Sequence, residues 1–302
     1  MDDDRLATDQ GPSRTGRPRL GIVGAGRVGA ALGVAVDRAG WPVVAVASRD
    51  AARRARLQSL VPGVVGVSAP ADLVELVDLV FVTVPDDAIG DVAASVRLRP
   101  GQGIVHTSGA LSAGVLAPAV VAGADAASFH PLVPFAELGR AIEALRGATI
   151  VLEGDPALVP TLTDLAMDLG ARPIEITSAG KAAHHAASVL AGGGIVALLD
   201  AVAALGRGAG LDERHVLDTY GPLIRLALGN AEALGISTAL TGPFVRGDAR
   251  TVALHLDAIE RLAPDVRALY VAAADRQISL AVSRGDLSDA RAAALAEVLE
   301  PA

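Results

Sequence analysis

Apolar residues in the first half of the chain come in short runs closed by glycine, proline or a small polar residue. LGIVGAG (20–26), WPVVAVASR (41–49), DLVFVTVP (78–85) and GQGIVHTSG (101–109) are β-branched and nearly free of charge. A strand covered on both faces reads this way. ASFHP (127–131), GATIVLEG (147–154) and ARPIEIT (171–177) continue the series. Helical stretches alternate with these strands, among them VGAALGVAVDRAG (28–40) and RRARLQSL (53–60), and a weaker element follows the second. Strand–helix alternation of this kind predicts an α/β domain with a doubly wound, mostly parallel sheet. Beyond Ser178 the pattern changes to long Ala/Leu segments over 179–209, 212–235, 249–262, 264–283 and 288–300, with no convincing strand. An all-α C-terminal domain is expected there. The expected organisation is a disordered tail over 1–17, the α/β domain over 18–177 and the helical domain over 178–302.

Composition narrows the picture. Aromatics make up only 2% of a chain that is 51% hydrophobic, so the core must be built from Ala, Val and Leu. A net charge of −8 argues against nucleic acid or an anionic membrane as the main partner. The uncharged run from Thr107 to Ala124 is broken by proline, glycine and serine and makes a poor membrane span. There is no cysteine, which excludes disulfides, thiol nucleophiles and cysteine-bound zinc, and suits a cytoplasmic setting. Two of the six histidines are adjacent, in KAAHHAA (181–187). Neighbouring helical residues point about 100° apart, so His184 and His185 cannot readily chelate one ion, and no metal site is expected.

Gly24-Ala25-Gly26-Arg27-Val28-Gly29 matches G-x-G-x-x-G between a strand and a helix. In that context Gly24 makes the turn, Gly26 lets backbone N–H groups approach a pyrophosphate, and Gly29 allows close helix–strand packing. The helix N-terminus adds partial positive charge. At the end of the second strand stand Ser48 and Arg49, which suit the 2′-phosphate of NADP(H); Asp50 is expected to cap the next helix. Val84-Pro85 and His106-Thr107-Ser108 end later strands at the same carboxyl edge, where the nicotinamide should lie. A simple strand-ending turn is an equal reading of Pro85.

HTSGAL (106–111), SFHPLVPF (128–135), the Lys181–His185 region and LTGPFVRGDARTVALHL (240–256) follow the glycine motif in order. Together they resemble two-domain Rossmann-like oxidoreductases with a helical C-terminal domain of formerly unknown function. That group includes the PanG-type ketopantoate reductases, with 6-phosphogluconate, β-hydroxyacid and pyrroline-5-carboxylate enzymes as more distant relatives. The resemblance spans about Arg19 to Leu299. It implies a lysine contributed to a substrate cleft and a helical domain that often mediates a homodimer. In related hydroxyacid reductases a lysine in K-x-x-x-N protonates the carbonyl oxygen as hydride arrives. Here that lysine is Lys181, and the fourth position is His185. The chain departs from the pattern at His184, where tyrosine is common, and at Gly192-Gly193-Gly194, where an asparagine is replaced.

Lys181 is expected in the first turn of a helix capped by Ser178, with His185 one turn on and on the same face. A solvated surface lysine is the other reading. His130 either lines the cleft or bonds a buried backbone group; Ser108 either holds substrate or nicotinamide amide, or shapes a turn. Arg246, Asp248 and His255 are the expected substrate-binding residues: Arg246 can bind a carboxylate bidentately, Asp248 also reads as an N-cap following a left-handed Gly247, and His255, on the same helix, faces either the cleft or the interface. The expected activity is NADPH-dependent reduction of a small anionic 2-oxo acid. Reduction of an imine, and NADP(H) binding without turnover, are the alternatives.

Overall fold

The computed structural model describes residues 16–300, so most of the expected N-terminal tail lies outside the described residues. The chain divides into two compact units, 1–189 and 190–302.

In the first unit eight strands form one sheet: β1 (Leu20–Val23), β2 (Val43–Ala47), β3 (Val65–Val67), β4 (Leu79–Val82), β5 (Gly103–His106), β6 (Asp125–Pro131), β7 (Thr149–Gly154) and β8 (Arg172–Glu175). Their order is β3-β2-β1-β4-β5-β6-β7-β8. All pairings are parallel except β6 with β7. Alternation along each strand sends side chains to two cores. Leu20, Ile22, Leu79 and Phe81 pack under α1 (Arg27–Arg38), α2 (Ala51–Leu60), α5 (Leu138–Leu145) and α6 (Val159–Asp168). Val23, Val80, Val82 and Ile104 pack under α3 (Pro70–Val74), α4 (Asp86–Ser95) and a 3-10 segment, Ala113–Ala119. Both faces are therefore covered, as the near-absence of charge in the strands requires. Phe81 and Phe129 meet edge-to-face at 5.5 Å, one of the few places where an aromatic pair fills this aliphatic core. Arg17 stacks on Trp41, and both bond Asp168 of α6, which fastens the chain just before β1.

The last helix of this unit, α7 (Lys181–Val189), widens into a π-helical stretch at Leu190–Gly194, which opens the second unit. The three consecutive glycines, Gly192–Gly194, fall inside this widened stretch. The second unit contains α8 (Ile195–Gly208), α9 (Glu213–Leu234), α10 (Ile236–Ala239), α11 (Pro243–Arg246), α12 (Ala249–Leu262), α13 (Arg267–Ser283) and α14 (Asp289–Leu299), and no strand among the described residues. One side of α12 contributes Val252 and Leu256 to a core with Phe244, Ala274 and Leu295; Ile259 joins Ala201 and Val266 in another. Much of α9 is uncovered: Leu223, Leu226 and Leu228 are each about 60% exposed. The helical stretch Ser178–Gly208, not the run at 107–124, is the one long and apolar enough to cross a membrane among the described residues. Lys181, near its start, is fixed to the sheet of the first unit.

Candidate functional site

The strand order reverses between β1 and β4, and open α/β sheets bind ligands at such a switch point. The glycine motif sits there. Gly24 has φ +102°, a conformation natural to glycine. A Cβ on Gly29 would stand 2.0 Å from the Gly24 carbonyl oxygen and 2.4 Å from Thr83 Oγ1, so α1 packs on the turn only because that Cβ is missing. A Cβ on Gly26 would meet nothing within 4 Å. Gly26 is also the N-cap of α1 and supplies no capping side chain, so the helix end is free to receive an anion. The two glycines thus do different work: one closes a packing contact, the other keeps a ligand space open.

That space is a cavity of about 500 Å³, lined by Gly24, Ala25, Gly26, Ser48, Arg49 and Pro85, among others. Asp50 is the α2 cap that its position implied: its carboxylate accepts from the Ala52 and Arg53 amides at 3.0 and 3.1 Å. It is thereby committed to the helix end rather than to a ribose. Arg53, which sequence reasoning passed over, also lines the cavity one turn after Arg49, while Arg54 bonds the Ser48 carbonyl and holds the loop. The i, i+4 spacing of Arg49 and Arg53 was a readable signal. A larger cavity, about 590 Å³, opens at the amino-terminal edge of the strands. Its principal charges are already paired, Arg19 with Asp78 at 3.0 Å, and that hydrogen bond holds the Asp78 carboxyl below its usual range.

From the nucleotide cavity a chain of hydrogen bonds leads to Lys181. Asp86 follows Pro85 and accepts from Ser108 Oγ at 2.7 Å. The same hydroxyl accepts from the Ala110 and Leu111 amides, so it shapes the turn after β5 and is fully engaged. The carbonyl of Ser108 accepts from Lys181 Nζ at 3.0 Å, and Ser128 Oγ accepts from the same ammonium at 3.1 Å. Lys181 is 1% exposed, which corrects the surface reading. Burial lowers its pKa from the ordinary lysine value, and the carboxylates of Glu153 and Asp86 oppose the shift. Ser178 is not the helix cap: a 3-10 turn, Ser178–Gly180, precedes α7, and the Ser178 hydroxyl goes to Glu153.

Histidines surround this lysine. His106, at the end of β5, is fully buried; its Nδ1 accepts from the Ser108 amide at 3.1 Å. Burial pushes its pKa down to about 4, a backbone contact with Ser112 only partly opposing. His130 is also pushed down to about 4, by burial first and by the Lys181 charge second. Its ring meets those of His184 and His185 edge-to-face, at 5.7 Å each. The closeness depends on Gly109, where a Cβ would fall 2.3 Å from His185 Nδ1 and 2.6 Å from His130 Cε1. Burial also lowers the pKa of His184. Despite this grouping, no set of three or more His, Asp or Glu side chains is disposed to hold a metal ion among the described residues.

The remaining expected residues belong to the second unit. Gly247 is left-handed (φ +67°), and Asp248 caps α12 by accepting from the Thr251 amide at 3.1 Å. Arg246 is exposed, and its carbonyl accepts from Arg291. His255 Nδ1 shares a hydrogen bond of 2.7 Å with the Tyr270 hydroxyl.

A glycine turn at the switch point, a free helix end and an open cavity define a Rossmann-type nucleotide-binding unit. Residues 5–131 match the sequence profile of a Rossmann-like domain. Residues 148–277 match that of a domain of unknown function, DUF2520. No curated protein matches it. Among solved structures, protein TM1727 from Thermotoga maritima is 27% identical over 88% of this chain and 99% of its own, with a TM-score of 0.66. A reductive aminase from Aspergillus terreus, solved with NADPH4, cyclohexanone and allyl amine, is 17% identical (93% of this chain, 99% of its own, TM-score 0.66). A 1-pyrroline-5-carboxylate reductase from Streptococcus pyogenes is 19% identical (88% and 99%, TM-score 0.62). These solved structures share the fold of this chain.

Two features of the lysine site escaped sequence reasoning. One is Glu153, whose strand gave no sign of running against its neighbour. The other was in plain view: Lys181 is the only lysine in the chain, and the other 25 basic residues are arginines. Arginine does not give up its proton in proteins, whereas a buried lysine shifts its pKa readily.

Proposed function

We propose that the protein is an NADPH-dependent reductase of a small 2-oxo acid, of the ketopantoate type. The carrying observation is that the sole lysine is buried in the nucleotide-binding unit, linked to the cofactor cavity through Ser108 and Asp86. The cavity fits NADP(H): the Gly26 space and the α1 end suit a pyrophosphate, and Ser48, Arg49 and Arg53 suit a 2′-phosphate. When bound, the cofactor supplies a hydride to the carbonyl carbon. Lys181 gives a proton to the carbonyl oxygen; its N–H bond breaks, an O–H bond forms, and a neutral amine is left behind. Two of its three ammonium protons face Ser108 O and Ser128 Oγ, so the third is the one to transfer. A lowered pKa eases that loss.

The likeness to a reductive aminase and a pyrroline-5-carboxylate reductase favours a second reading, reduction of an imine by the same unit. NADPH oxidation across 2-oxo acids, ketopantoate included, and cyclic imines separates the two. Lys181→Ala should lower turnover about 10²–10⁴-fold with NADPH binding intact. An unchanged rate overturns the role of the lysine, and binding without turnover of any compound points to a sensor.

A further inference from the structure

We propose that Glu153 is the buried counter-ion and positioning residue of Lys181, acting through the Ser128 hydroxyl. This role rests on the reading of Lys181 as proton donor. Its basis is the antiparallel pairing of β7 with β6, which sets Glu153 directly opposite Ser128. Such pairs share one face of the sheet, close enough to interact. Ser128 is fully buried and Glu153 is 3% exposed. The hydroxyl takes a hydrogen bond from Lys181 Nζ at 3.1 Å and gives one to Glu153 Oε2 at 3.3 Å. The Ala113 amide donates to the same carboxylate oxygen at 2.8 Å, and Ser178 Oγ donates to the other. Three donors from three separate segments therefore converge on one buried carboxylate, a strong arrangement for holding a charge away from water. Ser178 lies three residues before Lys181, so the same carboxylate also anchors the turn from which the lysine projects.

The surroundings of the ammonium leave Glu153 as the buried counter-charge. Asp86, at the start of α4, is exposed and bonded to Ser108. His106 from β5 and His130 from β6 are neutral near neutral pH, and His184 and His185 from α7 complete the ring of titratable groups. Burial disfavours the ammonium form of Lys181, and the Glu153 carboxylate opposes that effect, favouring the form that can give a proton. The ammonium itself is held by one hydroxyl and one carbonyl.

Because the chain has one lysine, carbon-13 at the lysine ε-position yields a single side-chain resonance whose titration reads Lys181 in the full-length protein, with no substrate needed. Glu153→Gln preserves shape: its oxygen can accept from Ala113 and Ser128 while its amide donates to Ser178. The expected result is a Lys181 titration moved to lower pH by about one unit or more, the usual effect of removing a nearby opposite charge. Glu153→Asp, which keeps the charge, should return the titration most of the way to its wild-type position. Ser128→Ala should move it in the same direction by less. If turnover is found, the alkaline limb of its pH profile should move with the resonance, with kcat affected more than KM.

A titration unchanged in Glu153→Gln, with the thermal melt showing a folded protein, overturns the proposal. Should that variant fail to fold, an unchanged titration in Ser128→Ala does the same. A shifted titration in a protein that reduces nothing upholds the electrostatic link and sinks the reductase reading instead.

Discussion

Replacing Gly29 and Gly26 separately by alanine tests the division of labour in the nucleotide turn. In Gly29→Ala the new Cβ would stand 2.0 Å from the Gly24 carbonyl oxygen and 2.4 Å from Thr83 Oγ1. Neither atom can retreat freely, since Thr83 Oγ1 donates to both Gly24 O, at 2.6 Å, and Val23 O, at 3.1 Å. Overpacking of this kind costs about 1–3 kcal/mol, and disturbing the hydroxyl bonds adds about 0.5–1.5 kcal/mol each. Alanine returns up to about 1 kcal/mol in helix propensity. The net expectation is a loss of roughly 1–6 kcal/mol, because a backbone clash outweighs propensity. Gly26→Ala meets open space and has an ordinary φ of −75°. Its stability should fall by no more than about 1 kcal/mol, the scale of an N-cap change. Its NADPH affinity should fall at least about tenfold, because the Cβ occupies the approach to the helix end. Urea denaturation and calorimetric NADPH titration read the two quantities. A Gly29→Ala protein as stable as wild type, or a Gly26→Ala protein that binds normally, refutes the reasoning.

Acid should destabilise the protein well before its carboxylates titrate. His106 and His130 have pKa values near 4 in the fold against an ordinary 6.5, so between those values the unfolded chain binds protons that the folded chain refuses. Their stabilisation is complete above about pH 6.5 and is lost as pH falls toward 4. The loss amounts to a few kcal/mol in all, since each tenfold drop in a group's proton affinity is worth about 1.4 kcal/mol. Equal denaturation midpoints at about pH 7 and about pH 5 would contradict this. Arg49→Ala should weaken NADPH binding about tenfold while sparing NADH, the scale of one charged hydrogen bond; equal losses for both would remove Arg49 from the 2′-phosphate. The uncovered leucines of α9 motivate a homodimer, and Leu226→Arg should shift it toward monomer by light scattering. A wild-type protein that is monomeric at micromolar concentration ends that reading.

Elements were legible where local pattern and tertiary setting agree. The runs at 20–26, 41–49 and 78–85 had to be buried strands because they lack any polar face, and the glycine motif stood in the strand–helix context it needs. Asp50 and Asp248 were legible as caps because capping is decided within one turn. The lysine site was legible only in part. GATIVLEG has the same period whether its strand runs with or against β6, so nothing local placed Glu153 beside Ser128. Ser178 looked like a cap, but a carboxylate 25 residues earlier in the chain competes for its hydroxyl. The burial of Lys181 likewise depends on residues 73 and 53 positions away, at Ser108 and Ser128.

The solitary lysine also has a consequence for handling the molecule. Amine-directed reagents, whether acylating agents, aldehydes with a reductant or activated esters on a dye or bead, find one side chain, and that side chain is enclosed. The exterior is dressed in guanidinium groups that such reagents ignore. Mild coupling should therefore stop at the N-terminal amine and leave the enclosed lysine chemically intact.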